Sequence, residues 1–113
     1  MGCLAPQVLA EFYAIITSRR WAGVPLTPKE ACEEVSAYAA SPIPMIYPDR
    51  NMLSILLDLL ESAGVAAQHV HDAALAATML SNGVGCVYTA NVRDFACFDG
   101  ITAINPFESP DGG

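Results

Sequence analysis

The stretch from residue 70 to residue 98 constrains the fold most, because a helix pattern, a strand pattern and an acidic turn follow one another directly. Asp72 opens the predicted helix, and Asn82-Gly83 is typical of a helix end that tolerates a positive φ. Val84 to Thr89 is short and β-branched, which predicts a buried strand rather than a helix. A helix followed by a buried strand of this kind predicts an α/β fold.

Polar side chains surround the carboxyl end of this predicted strand. Thr89, Asn91 and Asp94 follow the strand, and Asp72 stands at the start of the preceding helix. Ligands of open α/β sheets bind outside the carboxyl ends of the strands, so these residues predict a metal or phosphate site. The structural alternative is that Asp72 caps a helix and Asp94 begins a turn, both of which are common uses of aspartate. On these residues alone, the structural alternative is favoured.

Three further helices are predicted from apolar periodicity and from cap residues. These residues are a capping box at Thr27 and Glu30, a cap at Asp49 and a helix end at Gly64. The helices cover residues 6–19, 28–40 and 50–63, and short strands are predicted at residues 41–48 and 101–104. In the third of these helices four leucines are expected to face inward, namely Leu53, Leu56, Leu57 and Leu60. Helices that alternate with short strands favour a mostly parallel sheet that helices cover on both faces.

Length, charge and hydropathy limit the function classes. The chain has 113 residues, which suits one domain, and its 53% hydrophobic residues indicate an extensive core or an apolar interface. No apolar run approaches the ~20 residues that span a bilayer, so no membrane association is expected. A net charge of −7 argues against nonspecific binding of a long polyphosphate, although a bound divalent cation would reverse the local sign.

The four cysteines lack a C-x-x-C spacing, so neither a disulfide frame nor a zinc site is expected. Cys3, Cys32, Cys86 and Cys97 are interpreted as reduced core thiols of a cytoplasmic protein. No histidine is placed by motif near Cys86 or Cys97, which argues against a cysteine nucleophile.

Two other features of the sequence have the chemistry of ligand sites. The run His69-Val70-His71-Asp72 suggests metal binding, but two histidines without a further cluster make zinc the minor alternative, and His71 is interpreted as a packing or hydrogen-bonding residue. Trp21 lies beside two arginines and has the chemistry to stack on an RNA base. Loop packing is the favoured interpretation of Trp21.

Six segments together resemble the PIN domain, and most closely the VapC-like toxin ribonucleases of bacterial toxin–antitoxin modules. The segments are QVLAEFYAIITSRR, PLTPKEA, PMIYP, HDAALAATMLSNGV, VYTANVRDF and ITAINP. They cover nearly the whole chain in order, and the specific part is the combination of L-x-E-F, H-D-A-x-x-A-A and T-x-N-x-x-D-F. The resemblance implies a three-layer α/β/α domain over residues 1–107 with a short, mostly parallel sheet, followed by a flexible tail at residues 108–113.

The resemblance implies an endoribonuclease that uses Mg²⁺ or Mn²⁺ to hydrolyse RNA phosphodiesters. By motif, Glu11, Asp72 and Asp94 match the acidic residues that bind the metal and carry the catalysis, and Thr89 and Asn91 match polar residues that orient ligands or water. Clustered carboxylates are suitable because hard cations prefer oxygen ligands. The three carboxylates are therefore expected to converge in one cleft, which Thr89 and Asn91 also line.

The sequence departs from the family at its amino end. The family begins with a strand of the type V-D-T-N, whose aspartate binds metal and which lies beside the strand predicted at residues 84–89. Here the similarity starts at the second strand, with residues 2–5 as its remnant. A gap in the sheet would leave backbone groups unpaired at ~1–3 kcal/mol each. The sheet is therefore expected to close up or to borrow a partner's strand, unless the chain is a fragment of a longer product.

The same departure keeps a second function open, in which the chain is a catalytically inactive PIN-domain remnant that acts only in protein association. The family implies pairing through helices and an antitoxin protein as partner. The apolar stripe of the first helix and the leucines of the helix at residues 50–63 are the expected contacts. A homodimer that buries at least ~1,200 Å² is predicted.

Overall fold

The computed structural model describes residues 2–18 and 23–107. These residues form an α/β fold of four α-helices and a short parallel sheet of two strands, while the PIN-like layering stays a prediction. The elements are α1 (Pro6–Ile16), α2 (Pro28–Ala39), α3 (Met52–Ala63), α4 (Val70–Ser81), β1 (Cys86–Tyr88) and β2 (Thr102–Ile104). Short 3₁₀ turns lie at Ala67–His69 and Val92–Phe95.

Local sequence signals set several helix ends as predicted. Thr27 and Glu30 form a capping box at α2. The Thr27 N–H donates to Glu30 Oε1 at 2.9 Å, and the Glu30 N–H donates to Thr27 Oγ1 at 3.2 Å. Gly64 ends α3 with φ 59°, and Gly83 follows the end of α4 with φ 69°. Both glycines adopt left-handed backbone, in which a side chain would be strained.

Other helix starts and ends differ from the prediction by two or three residues. The first helix ends at Ile16 rather than Arg19, which lies outside the described residues. The third helix begins at Met52, with Asn51 in the cap position. Asp49 instead accepts a hydrogen bond from the Asn51 N–H at 2.8 Å, and so stabilises the turn that precedes the helix.

Helix α4 also begins earlier than predicted. Its first residue is Val70, and a 3₁₀ turn leads directly into it, so Asp72 lies in the first turn instead of capping the helix. A carboxylate in the first turn still interacts favourably with the positive end of the helix dipole. This position leaves the Asp72 side chain free to meet side chains from other elements.

The amino-terminal segment lies in the middle of the sheet. Cys3 forms a parallel bridge with Val87 of β1, and Leu4 forms one with Met45. On one side the Cys3 N–H donates to the Cys86 carbonyl and the Tyr88 N–H donates to the Cys3 carbonyl, both at 3.0 Å. The segment at residues 2–5 therefore lies directly beside β1, through the bridge at Cys3.

The strand predicted at residues 41–48 is reduced to the single bridge at Met45. The Leu4 N–H donates to the Pro44 carbonyl and the Ile46 N–H donates to the Leu4 carbonyl, both at 2.8 Å. Prolines cannot donate to a ladder, and the three in this segment limit it to a short edge. Along its other edge, β1 pairs in parallel with β2, and Val87 lies opposite Ala103.

The core forms around the sheet and the small residues of α4. Leu4, Val8, Met79 and Val87 are completely buried. Ala73, Ala76 and Ala77 in α4 are also completely buried, so this helix packs closely against its neighbours. In α1, Phe12 makes an edge-on contact with Phe107, with ring centroids 5.0 Å apart.

The leucines of α3 do not all face inward, and that prediction is wrong for two of them. Leu53 and Leu57 are 60% and 56% exposed, whereas Leu56 and Leu60 pack against the core. Successive residues of a helix are 100° apart, and the contact side of α3 is centred on Leu56, with Leu59 and Leu60 on either side. Leu53 and Leu57 therefore lie at the edge of the apolar stripe, in solvent.

The cysteines are free thiols, but only some of them belong to the core. Cys3 is buried and Cys86 is half-buried, whereas Cys32 and Cys97 are exposed, so the core interpretation is wrong for these two. Burial, and secondly the nearby Cys86 thiol, raises the pKa of Cys3 to about 11. At neutral pH Cys3 is therefore a protonated core thiol and a poor nucleophile.

Across the described ranges, the helices are all too short or too polar to cross a bilayer. Trp21 and the predicted tail at residues 108–113 lie outside the described residues.

Candidate metal centre

The loop after β1 is held by the carboxylate of Glu11 in α1. One carboxylate oxygen accepts hydrogen bonds from Thr89 Oγ1 at 3.0 Å and from the Ala90 N–H at 2.9 Å. The other accepts from Asn91 Nδ2 at 2.9 Å. Thr89 is completely buried, and its hydroxyl oxygen also accepts from the Asn91 N–H at 3.2 Å. Glu11 thus fixes the backbone from which the acidic turn continues.

The acidic turn brings Asp94 to the amino-terminal end of α4. His69 Nδ1 lies 3.3 Å from Asp72 Oδ2 and 4.0 Å from Asp94 Oδ1. One ligand atom from each of these three residues lies within 4.8 Å of the other two. Among the residues that the structure describes, this is the only group of three or more such side chains with that spacing. The group is half-buried and joins two parts of the chain that are distant in sequence.

Electrostatics at this group favours a cation. Burial raises the pKa of Asp72, and the nearby Asp94 carboxylate raises it further, while the hydrogen bond with His69 partly offsets both. Only 15% of the Asp72 side chain is exposed, against 37% for Asp94. Two carboxylates that face each other with little water between them repel, and a divalent ion between them would relieve that repulsion.

The structure brings together only part of the predicted site. Asp72 and Asp94 meet as expected, and Glu11 meets Thr89 and Asn91 as expected, but these are two groups rather than one cleft. Both oxygens of Glu11 accept hydrogen bonds from the loop after β1. Metal binding by Glu11 therefore stays a prediction.

The two groups also line different cavities. Glu11 and Asn91 line a cavity of about 660 Å³ together with apolar side chains of α1. His69 and Asp94 line a second cavity of about 410 Å³ beside the end of α3. The Asp94 N–H donates to the Asn91 carbonyl at 3.1 Å, so a single turn of chain connects the two groups.

The donor set at His69, Asp72 and Asp94 fits a divalent cation. Two ligand atoms that are each about 2.1 Å from an ion lie about 3.0 Å apart in a cis arrangement and about 4.2 Å apart in a trans arrangement. The distances from His69 Nδ1 to the two carboxylates, 3.3 and 4.0 Å, fall between these limits. An ion bound by these residues would therefore require only small side-chain movements.

The sequence pattern suggested His69 as a metal ligand only within the run His69-Val70-His71-Asp72, as the minor zinc alternative, and did not group it with Asp94. The predicted helix began at Asp72, which placed His69 in the connection before the helix. With the helix beginning at Val70, His69 occupies the cap position three residues before Asp72, a spacing that puts two side chains on the same side of a helix. The i, i+3 spacing of a histidine and an aspartate was the available signal.

No protein-family model matches the sequence, and no curated protein has significant similarity to it.

Proposed function

We propose that this chain is a PIN-type endoribonuclease that requires a divalent metal ion. One observation carries the proposal: Asp72 and Asp94, which match the acidic residues of two separate family motifs, lie side by side within the reach of a single ion. These residues are 22 positions apart in sequence and belong to different elements. Residues from two elements that converge in this way are what binding of a shared ion would require.

In this proposal each acidic residue has a different task. Asp72 and Asp94 bind the ion, and Glu11 positions the turn that carries Asp94 through its hydrogen bonds to the loop. Thr89 and Asn91 take part in this positioning rather than in contacts with substrate. A bound divalent ion would supply Lewis-acid stabilisation of the phosphodiester and a water activated for attack.

The net charge also fits a requirement for metal. A chain with a formal charge of −7 repels an RNA backbone at long range, and the acidic group adds to this repulsion locally. Binding of a divalent ion between Asp72 and Asp94 reverses the sign at the point where a phosphate would approach. RNA binding and cleavage should therefore both depend on the ion.

Replacing Asp94 by Asn tests the catalytic proposal. With Mn²⁺ or Mg²⁺ present, we expect Asp94→Asn to cleave a fluorogenic oligoribonucleotide library at least about 100-fold more slowly than wild type, a barrier increase of about 2.7 kcal/mol. Asp58→Asn, an exposed substitution in α3, should retain full activity and controls for the loss of one negative charge, while Asp94→Asn purified in the same way controls for contaminating nucleases. Equal rates for wild type and Asp94→Asn, or no metal-dependent cleavage by wild type, would refute the catalytic proposal.

A second candidate function is protein association without catalysis, as a homodimer or with an antitoxin-like protein. The observation that favours it is the exposed pair Leu53 and Leu57, which lie one turn apart at the edge of the α3 stripe. Exposed apolar residues that adjoin each other, unlike single ones, mark surfaces that a partner covers. This function does not require the acidic group.

The homodimer is tested by light scattering at micromolar concentration. Wild type should have twice the mass of the 11.9-kDa chain, and the double variant Leu53→Ser with Leu57→Ser should have the mass of one chain. Val24→Ser, which changes an exposed residue outside α3, should leave the dimer intact. A monomeric wild type would show that these leucines do not mediate self-association.

A further inference from the structure

We propose that His69 is a third ligand of the ion, through Nδ1, and that this nitrogen makes the centre select Mn²⁺ over Mg²⁺. The inference rests on the proposed function, since it assumes that Asp72 and Asp94 bind a divalent ion. It adds a residue that the acidic motifs do not contain and a preference that oxygen ligands alone would not produce.

The position of the imidazole supports this role. His69 Nδ1 is close to a carboxylate oxygen of both aspartates, at 3.3 and 4.0 Å, although the aspartates come from different elements. A histidine that only stabilised the start of α4 would need its contact with Asp72 and not the one with Asp94. Since 43% of the His69 side chain is exposed, its ring can turn slightly toward an ion without disturbing the core.

The chemistry of the donor set gives the selectivity. Mg²⁺ strongly prefers oxygen ligands in a near-octahedral arrangement and loses its water reluctantly, so an imidazole nitrogen adds little to its binding. First-row transition ions accept imidazole together with carboxylate, and their affinity for such mixed sites exceeds that of Mg²⁺. A centre with two carboxylates and one imidazole should therefore bind Mn²⁺ more tightly than a centre with the two carboxylates alone.

The chain offers a matched control, because its only other histidine is two residues away. His71 is exposed and does not belong to the group of three side chains. Both histidines lie at the beginning of α4, so their replacement changes composition and charge equally. Asparagine is a suitable substitute at residue 69 because it is also a favourable N-cap and offers an oxygen near the position of Nδ1.

Pulsed electron paramagnetic resonance of bound Mn²⁺ tests the ligand directly. Coupling between Mn²⁺ and a ¹⁴N nucleus should be present in wild type and in His71→Asn, and absent in His69→Asn. In calorimetric titrations, His69→Asn should bind Mn²⁺ about tenfold more weakly than wild type, which corresponds to about 1.4 kcal/mol, while its affinity for Mg²⁺ stays unchanged.

The outcomes separate this inference from the function on which it rests. Mn²⁺ binding that requires Asp72 and Asp94 but shows no ¹⁴N coupling in wild type would overturn the role of His69 and leave the metal centre intact. Equal loss of Mn²⁺ and Mg²⁺ affinity in His69→Asn would overturn the selectivity. If wild type binds neither ion, both the metal centre and the inference are wrong.

Discussion

Mn²⁺ at about 100 times its dissociation constant is expected to raise the Tm of the wild-type protein by about 11–22 °C and to leave that of Asp72→Asn unchanged. A ligand that binds only the folded state at this concentration stabilises it by about 2.7 kcal/mol. For a domain of this size, each kcal/mol shifts Tm by about 4–8 °C. Thermal unfolding followed by circular dichroism, with and without Mn²⁺, measures the difference.

In EDTA, without bound metal, the stability of Asp72→Asn should instead exceed that of wild type. Because the pKa of Asp72 is raised above its ordinary value of 3.8 in the folded protein, the carboxyl group favours folding only while it is protonated. That contribution is complete below the unfolded pKa and is lost as pH rises through the higher, folded pKa. Near neutral pH and without metal, Asp72→Asn should therefore be more stable than wild type.

This pair of results distinguishes a metal ligand from a structural aspartate. A structural Asp72 would make Asp72→Asn less stable than wild type in EDTA, and Mn²⁺ would shift both proteins equally or neither. Asp58→Asn serves as the control, because Asp58 is an exposed residue of α3 outside the acidic group.

Leu4→Ala is expected to reduce the free energy of unfolding by about 2–5 kcal/mol, the range for a leucine deleted from a packed core. Leu4 is completely buried in the segment that pairs with β1 on one side and with Met45 on the other. Leu80→Ala, at a leucine that is 39% exposed, should cost at least 1 kcal/mol less. Urea unfolding of both variants measures the two free energies.

Hydrogen exchange tests the same part of the sheet through its backbone. The N–H groups of Ile46 and Tyr88 donate to carbonyls of Leu4 and Cys3, so both should exchange as slowly as other core amides. Rapid exchange at these two amides, together with a small effect of Leu4→Ala, would show that residues 2–5 do not occupy the middle of the sheet in solution.

The sequence predicted best where a few neighbouring residues determine the structure. The capping box at Thr27 and Glu30 and the glycine ends at Gly64 and Gly83 are local features, and all were confirmed. The start of α4 was placed too late because Asp72 was interpreted as a cap, although His69 occupies that position. Which of several polar residues near a helix start occupies the cap position is difficult to predict when the 3₁₀ turn before the helix is not known.

Long-range relations were predicted less well. The pairing of residues 2–5 with β1 depends on which segments lie side by side, and no local pattern encodes it. The rotation of α3 that leaves Leu53 and Leu57 in solvent depends in the same way on the helix against which it packs. Periodicity predicts that a helix has an apolar side, but not which edge of that side its neighbours cover.

In the candidate site, too, the order of the elements was easier to predict than the contacts between side chains. The structure places Asp94, after β1, near Asp72 at the start of α4, an arrangement that the order of elements in an α/β sheet favours. The hydrogen bonds of Thr89 and Asn91 to Glu11 were not predicted from the sequence. Such bonds depend on side-chain directions that spacing does not determine.

Anomalous diffraction from crystals soaked in MnCl₂ tests the metal centre most directly. We expect a single strong Mn²⁺ peak per chain at about 2.0–2.3 Å from a carboxylate oxygen of Asp72 and one of Asp94, and from His69 Nδ1. A peak at Glu11 without the two aspartates, or no peak in a crystal with this acidic group open to solvent, would contradict this expectation.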